Sequence, residues 1–152
     1  MIEPNEAYIK KLIEKVNTSP FPRHLRMKLV SISFDQATVK LETGQCHLQP
    51  FGIVHGGVMA TLIDTATFWA AFLRLPEDTG LVNTDLKLNY LKSIASGTMT
   101  AEGRCIRTGR SINYAEASVM DKEGNLIAHG TSTLMVLPGK GIRLDAKKFL
   151  DR

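Results

Sequence analysis

The sequence predicts an α+β fold in which an antiparallel sheet wraps around one long central helix. Three observations carry this. Residues 58–73 hold a single charged side chain, Asp64, in an otherwise apolar run that suits a helix buried on nearly every side. Segments of alternating apolar and polar residues lie both before and after that run. No repeat, linker or low-complexity stretch divides the 152 residues, a length that one core can serve. A helix that is apolar all round must be enclosed, and strands on both sides of it in sequence can do so by curling as one sheet.

The elements follow in order. Ile9, Leu12, Ile13 and Val16 share one face of a short amphipathic helix over residues 6–16, which Asn17-Thr18-Ser19-Pro20 stops. Val30, Ile32 and Phe34 alternate with polar neighbours, and after a turn at Asp35-Gln36 so do Ala37, Val39 and Leu41, which reads as a hairpin. Residues 44–57 form an irregular connection containing Pro50, Gly52 and the pair Gly56-Gly57. The long helix runs over residues 56–74 and is ended by Pro76. Residues 81–90 read as one strand, with Leu86, Leu88 and Tyr90 in alternation. Gly97 and Gly109 punctuate the next strands, over residues 98–108 and 112–120. Asp121-Lys122-Glu123-Gly124-Asn125 is a hairpin turn, and residues 126–137 close the sheet before Pro138-Gly139. The chain thus divides into an N-terminal helix and connection (1–26), a main domain (27–138) and a basic tail (139–152).

Composition narrows the function classes. With 43% hydrophobic and 22% charged residues the chain is ordinary for a globular protein. Its pI is near 9.2. The last fourteen residues carry five basic and two acidic side chains, so they hold +3 of the net +4. A body that is almost neutral argues against a nucleic-acid surface, and the tail reads as a solvated, partly helical or frayed end. Cys46 and Cys105 are far apart and show no metal-ligand spacing with His24, His47, His55 or His129, so no metal site is expected. The start Ile2-Glu3-Pro4-Asn5-Glu6 is unlike a secretory signal, and the apolar run is too short for a membrane span. A cytoplasmic setting without membrane or nucleic-acid partners is the expectation.

Asp64 is the informative residue. An ionised carboxylate in an apolar helix must be stabilised by partners or be shifted toward its neutral form, and such groups mark functional sites. The competing reading is a structural Asp tied to Thr61, Thr65 or a backbone amide. The glycines just upstream favour the functional one, because a helix start offers unpaired N–H groups that a carbonyl oxygen can approach closely.

The order of elements, the block Gly52-Ile53-Val54-His55-Gly56-Gly57 and the block Thr61-Leu62-Ile63-Asp64-Thr65-Ala66 together resemble a known family. They are similar to the hotdog-fold acyl-CoA thioesterases of the phenylacetate-degradation and Arthrobacter-type 4-hydroxybenzoyl-CoA group. Thr84-Asp85-Leu86-Lys87-Leu88-Asn89-Tyr90-Leu91 and Gly124-Asn125-Leu126-Ile127-Ala128-His129-Gly130 fit the strands downstream, and the resemblance covers residues 27–137. It implies hydrolysis of an acyl-CoA or aryl-CoA thioester to free acid and CoA. CoA is then part of the substrate, and no further cofactor is expected.

The resemblance also implies roles. Asp64 is the nucleophile or general base, and Gln49, fifteen positions earlier, is the amide that meets the thioester. The N–H groups of Gly56 and Gly57 polarise the carbonyl. Asn83, with Thr84 beside it, is the polar residue that orients water. Phe68 departs from the Thr that some members carry one turn after the acid, which alters water handling or marks the phenylacetate-type subgroup. His55 is a candidate general base, although a His just before a helix more often caps it. Thr61 and Phe68 share the helix face of Gly57 and Asp64. Phe68, Trp69 and Phe72 line an acyl or aryl pocket or belong to the core. Arg107 and Arg110, with Arg104, flank Gly109 and either bind the CoA phosphates or form a solvated hairpin.

Gly57 and Asp64 are seven residues apart, roughly 10 Å along a helix, which is too far for one chain to place both on one carbonyl. A site shared between protomers resolves this, and the family uses such an interface. A homodimer or a dimer of dimers is therefore expected. Two alternatives remain: a non-catalytic acyl-CoA binding module, and a hotdog dehydratase. The dehydratase needs a His on the loop ahead of the acid, where Gln49 stands and His47 is displaced by two positions.

Overall fold

The long apolar segment forms a helix laid across the concave face of a single antiparallel sheet, as its composition requires. The computed structural model describes residues 2–150. Its elements are α1 (Glu6–Thr18), α2 (Pro20–Leu25), β1 (Met27–Ser33), β2 (Gln36–Glu42), α3 (Gly56–Phe72), β3 (Thr79–Asn83), β4 (Lys87–Tyr90), β5 (Thr98–Arg107), β6 (Ile112–Met120) and β7 (Leu126–Pro138). The strands run β1-β2-β5-β6-β7-β3, and β4 also pairs with β7. Helix α3 packs chiefly on β5, β6 and β2. Buried positions occur all around it, from Val58 and Met59 through Leu62, Ile63 and Ala66 to Trp69 and Phe72.

The sheet accepts the helix closely because its central strands turn small residues inward. Gly103 of β5, Ala117 of β6 and Gly130 of β7 are register partners in one row. A Cβ at Gly103 would stand 2.2 Å from the Ala66 carbonyl oxygen, and one at Gly130 would stand 3.1 Å from Ile63. Gly103→Ala should therefore push α3 off the sheet and cost about 1–3 kcal/mol. A urea midpoint unchanged from wild type would refute this.

Four sequence expectations differ from the structure. First, α1 does stop before Pro20, but that proline also begins a second, unexpected helix, α2, at its first turn, where the missing N–H is harmless. Second, a bulge between Leu29 and Ser31 reverses the alternation in β1, so Met27, Leu29 and Ile32 point inward and Val30 is exposed. Third, the single strand expected over residues 81–90 is two, because the Asp85 carboxylate takes the Thr133 N–H at 2.8 Å in place of a strand carbonyl. Fourth, the tail is not a solvated or helical end. Phe149 bridges to Pro4, and the Asn5 N–H donates to the Lys148 carbonyl at 3.0 Å. Lys148 itself is fully buried. Its ammonium donates to the Phe72 and Leu75 carbonyls at 2.9 and 2.8 Å, over the face of the Phe72 ring. It thereby satisfies the Leu75 carbonyl just beyond α3 and gives the Phe72 carbonyl a second donor beside the Leu75 N–H at 3.2 Å. No helix among the described residues is long and apolar enough to cross a membrane.

Candidate active site

The connection into α3 is an ordered tongue. The His55 N–H donates to the His47 carbonyl at 2.8 Å, Leu48 bridges Val54, and the Gln49 N–H donates to the Ile53 carbonyl at 2.8 Å. Gly52, with φ 80°, makes the turn at the tip, where Phe51 is 91% exposed. The Gln49 carboxamide oxygen accepts the Phe51 N–H, which leaves its NH2 group to donate outward.

His55 is the N-cap of α3. Its Nδ1 accepts the Gly57 N–H at 2.8 Å, so the ring is the neutral tautomer protonated at Nε2 and acts as a cap rather than a base. The same bond corrects the expectation for Gly57, whose N–H is occupied and cannot also hold a thioester oxygen. The Val58 N–H is likewise taken, by the His55 carbonyl at 2.9 Å. Gly56 keeps an N–H without a partner among the described residues. It opens on a groove of about 410 Å³ whose lining includes Gln49, Val54, Met59, Tyr90 and Lys92.

Tyr90, which sequence reasoning assigned to strand alternation, is a site residue that reasoning missed. Its ring lies against Gly56, with Cζ 2.8 Å and the hydroxyl 3.0 Å from where a Cβ would stand. Lys92 is fixed at the rim of the groove by Asp121 at 3.0 Å.

Asp64 lies elsewhere. It lines a separate cleft of about 270 Å³ with Val16, Phe21, Pro22, Phe68 and Trp69. Its carboxylate has no hydrogen-bond or ion-pair partner among the described residues, and burial pushes its pKa above the ordinary value. Thr61 does not tether it, since that hydroxyl donates to the Gly57 carbonyl at 2.8 Å. The structural reading of Asp64 therefore lacks the contacts it requires. Phe68 packs edge-to-face on Trp69 with centroids 4.8 Å apart, shaping the wall beside the acid.

The remaining expected residues are spread out. The Asn83 amide donates to Ser132 at 2.8 Å and reaches the Asp64 backbone carbonyl at 3.4 Å. It fastens β3 to α3 through its NH2 group. The Thr84 hydroxyl is bound to the Thr133 carbonyl at 3.1 Å on the exposed side. Arg107 and Arg110 are exposed at the β5–β6 turn and line neither the groove nor the cleft, while Arg104 is paired with Glu116 at 2.6 Å. Among the described residues no three His, Cys, Asp or Glu side chains group as a metal site.

The structure thus brings Gln49 to Gly56 and Phe68 to Asp64, but it does not unite the two pairs. Gly56 and Asp64 are about 12 Å apart along α3, and no cavity described here is lined by both.

A model of the Thioesterase superfamily matches residues 51–128, half of the chain. A Haemophilus influenzae protein with only a provisional esterase name is 30% identical over 114 residues, covering 75% of this chain and 83% of that one. The 1,4-dihydroxy-2-naphthoyl-CoA hydrolase of Listeria monocytogenes is 29% identical over 110 residues, covering 72% and 89%. A solved thioesterase structure from Haemophilus influenzae superposes with a TM-score of 0.82 at 26% identity, covering 91% of this chain and 96% of that one.

Proposed function

The chain belongs to the thioesterase superfamily, and we propose that it hydrolyses acyl- or aryl-CoA thioesters at a site shared between two protomers. One protomer supplies Asp64 and its partner supplies Gly56 and Gln49. The observation that carries this reading is the separation just described. An untethered acid and a free helix-start donor open on different depressions of one chain. A symmetric dimer with α3 helices side by side lets each serve the other.

The chemistry follows from the groups. The Gly56 N–H, at the positive end of the α3 dipole, and the Gln49 NH2 hold the thioester oxygen as it becomes an oxyanion. Asp64 either takes a proton from the attacking water or attacks the carbonyl carbon itself to form a mixed anhydride that water opens. In both routes the C–S bond breaks, the free acid forms, and the CoA sulfur leaves as thiolate and regains a proton. Single turnover in heavy-oxygen water separates them. The apolar cleft beside Asp64 receives the acyl or aryl group. A module that only binds has no use for an unpartnered carboxylate at that wall. Cys46 and Cys105 are both free thiols, in keeping with a reducing cytoplasm.

The test is complementation. Asp64→Asn removes the acid, and Gly56→Pro removes the donor at a position where proline suits the first turn of a helix, its ring pushing the exposed Tyr90 side chain aside. Each variant alone should be inactive on a panel of acyl- and aryl-CoAs. Refolded together they should regain roughly a quarter of wild-type turnover, because half of the dimers then contain one intact site. Mixtures as inactive as their components would rule out the shared site.

A further inference from the structure

We propose that His47 is a positioning residue for the reaction, the clamp that sets both Gln49 and the Gly56 donor in place. The inference rests on the thioesterase reading above. His47 is 1% exposed and joins three segments. Its Nδ1 accepts the Gly44 N–H at 2.9 Å, closing the turn Gln45–His47. Since a backbone N–H can only donate, Nδ1 carries the lone pair, and Nε2 carries the proton that it donates to the Leu25 carbonyl at 2.7 Å. The main-chain carbonyl of the same residue accepts the His55 N–H at 2.8 Å.

Each of these bonds leads to a site group. The Leu25 bond anchors the tongue to the end of α2, on the body of the protein. The Gly44 bond fixes the turn from which Leu48 and Gln49 leave. The carbonyl bond holds His55, whose own ring caps Gly57 and so leaves Gly56 as the outward donor. Gln49 is two residues beyond the clamp and Gly56 is one residue beyond the bonded His55. A buried imidazole with both nitrogens bonded to backbone fits this task, because its rigid ring spans two fixed points.

Loss of the clamp should shift the donors by a fraction of an ångström to an ångström, enough to cost catalysis before binding. His47→Leu fills the space without either side-chain bond. Asn places an amide where Nδ1 lies and Gln places one where Nε2 lies, so each conservative variant restores one of the two. We expect kcat on a CoA thioester to fall about tenfold or more for His47→Leu, with KM changed less than about threefold, and to recover in part in the Asn and Gln variants. Amide exchange at Gly44, Gln49 and His55 should quicken in the Leu variant while the melting transition stays cooperative. A Leu variant that keeps wild-type kcat, or whose loss lies wholly in KM, overturns the assignment. Faster exchange with unchanged kcat overturns it as well. An inactive wild type would sink the thioesterase reading instead, an Asp64→Asn variant as active as wild type would sink the role given to Asp64, and the exchange data at the tongue would still tell whether the clamp exists.

Discussion

Replacing Asp64 by Asn should abolish thioester turnover and at the same time raise the melting temperature at neutral pH. The amide matches the carboxylate in shape but neither attacks nor accepts a proton, so kcat should fall by roughly three orders of magnitude or more. The stability change has the opposite sign. Burial raises the Asp64 pKa in the folded chain above the ordinary 3.8, with no partner acting against it. A carboxyl with a raised folded pKa favours folding below its unfolded pKa, and that contribution is lost as pH rises through the folded value. At neutral pH the carboxylate is therefore held charged at a cost that Asn does not bear. The variant should melt about 2 °C or more above wild type at pH 7, and the advantage should vanish below about pH 4. Thermal melts at both pH values, beside turnover, check the pair of signs. A variant that is less stable and still active would show Asp64 to be structural.

Replacing Lys148 by Ala should be the most destabilising single change outside the sheet. It would leave the Leu75 carbonyl without its donor, reduce the Phe72 carbonyl to the Leu75 N–H alone, and open a void under the Phe72 ring. The expected loss is about 3 kcal/mol, or roughly 6–12 °C. Lys148→Met keeps the volume and isolates the two hydrogen bonds. Burial lowers the Lys148 pKa to about 8, with the Glu77 charge acting the other way. Because the folded pKa lies below the unfolded 10.5, the unfolded chain binds more protons between the two values, so stability from this group rises with pH through that window. A neutral amine still donates two hydrogen bonds, so nothing is given up when the proton leaves. The advantage of wild type over Lys148→Met should grow from about pH 8 to pH 10. Urea midpoints for both proteins across that range decide it, and a shrinking advantage would mean the ammonium is the preferred form.

The parts of the fold that could be read in the sequence are those set by local pattern. An apolar run with one charge gives α3, and alternation bounded by glycines, broken only locally, gives β5, β6 and β7. What escaped depends on single contacts between distant segments. The bulge at Leu29–Ser31, the Asp85 carboxylate standing in for a strand carbonyl, and the Lys148 amine under α3 leave no periodic signal. The same division holds at the site. Asp64 was legible because a buried charge is out of place in its neighbourhood. The occupation of the Gly57 N–H by His55, and the approach of Tyr90 to Gly56, are matters of ring orientation that spacing does not encode.

The inward row Gly103, Ala117 and Gly130 has a consequence for how this scaffold can change. Where Gly103 meets Ala66, α3 is seated on backbone rather than on a side chain, and the helix has no room to come closer to the sheet there. Its length then behaves as a ruler between the proposed donor at one end and the proposed acid near its middle, and in the proposed dimer two such rulers side by side would define the reaction geometry. Variation in the group accepted must come from the border pieces, with Phe21 and Pro22 of α2 facing the acid's cleft and Phe51 at the tongue tip, while the measuring element stays constant.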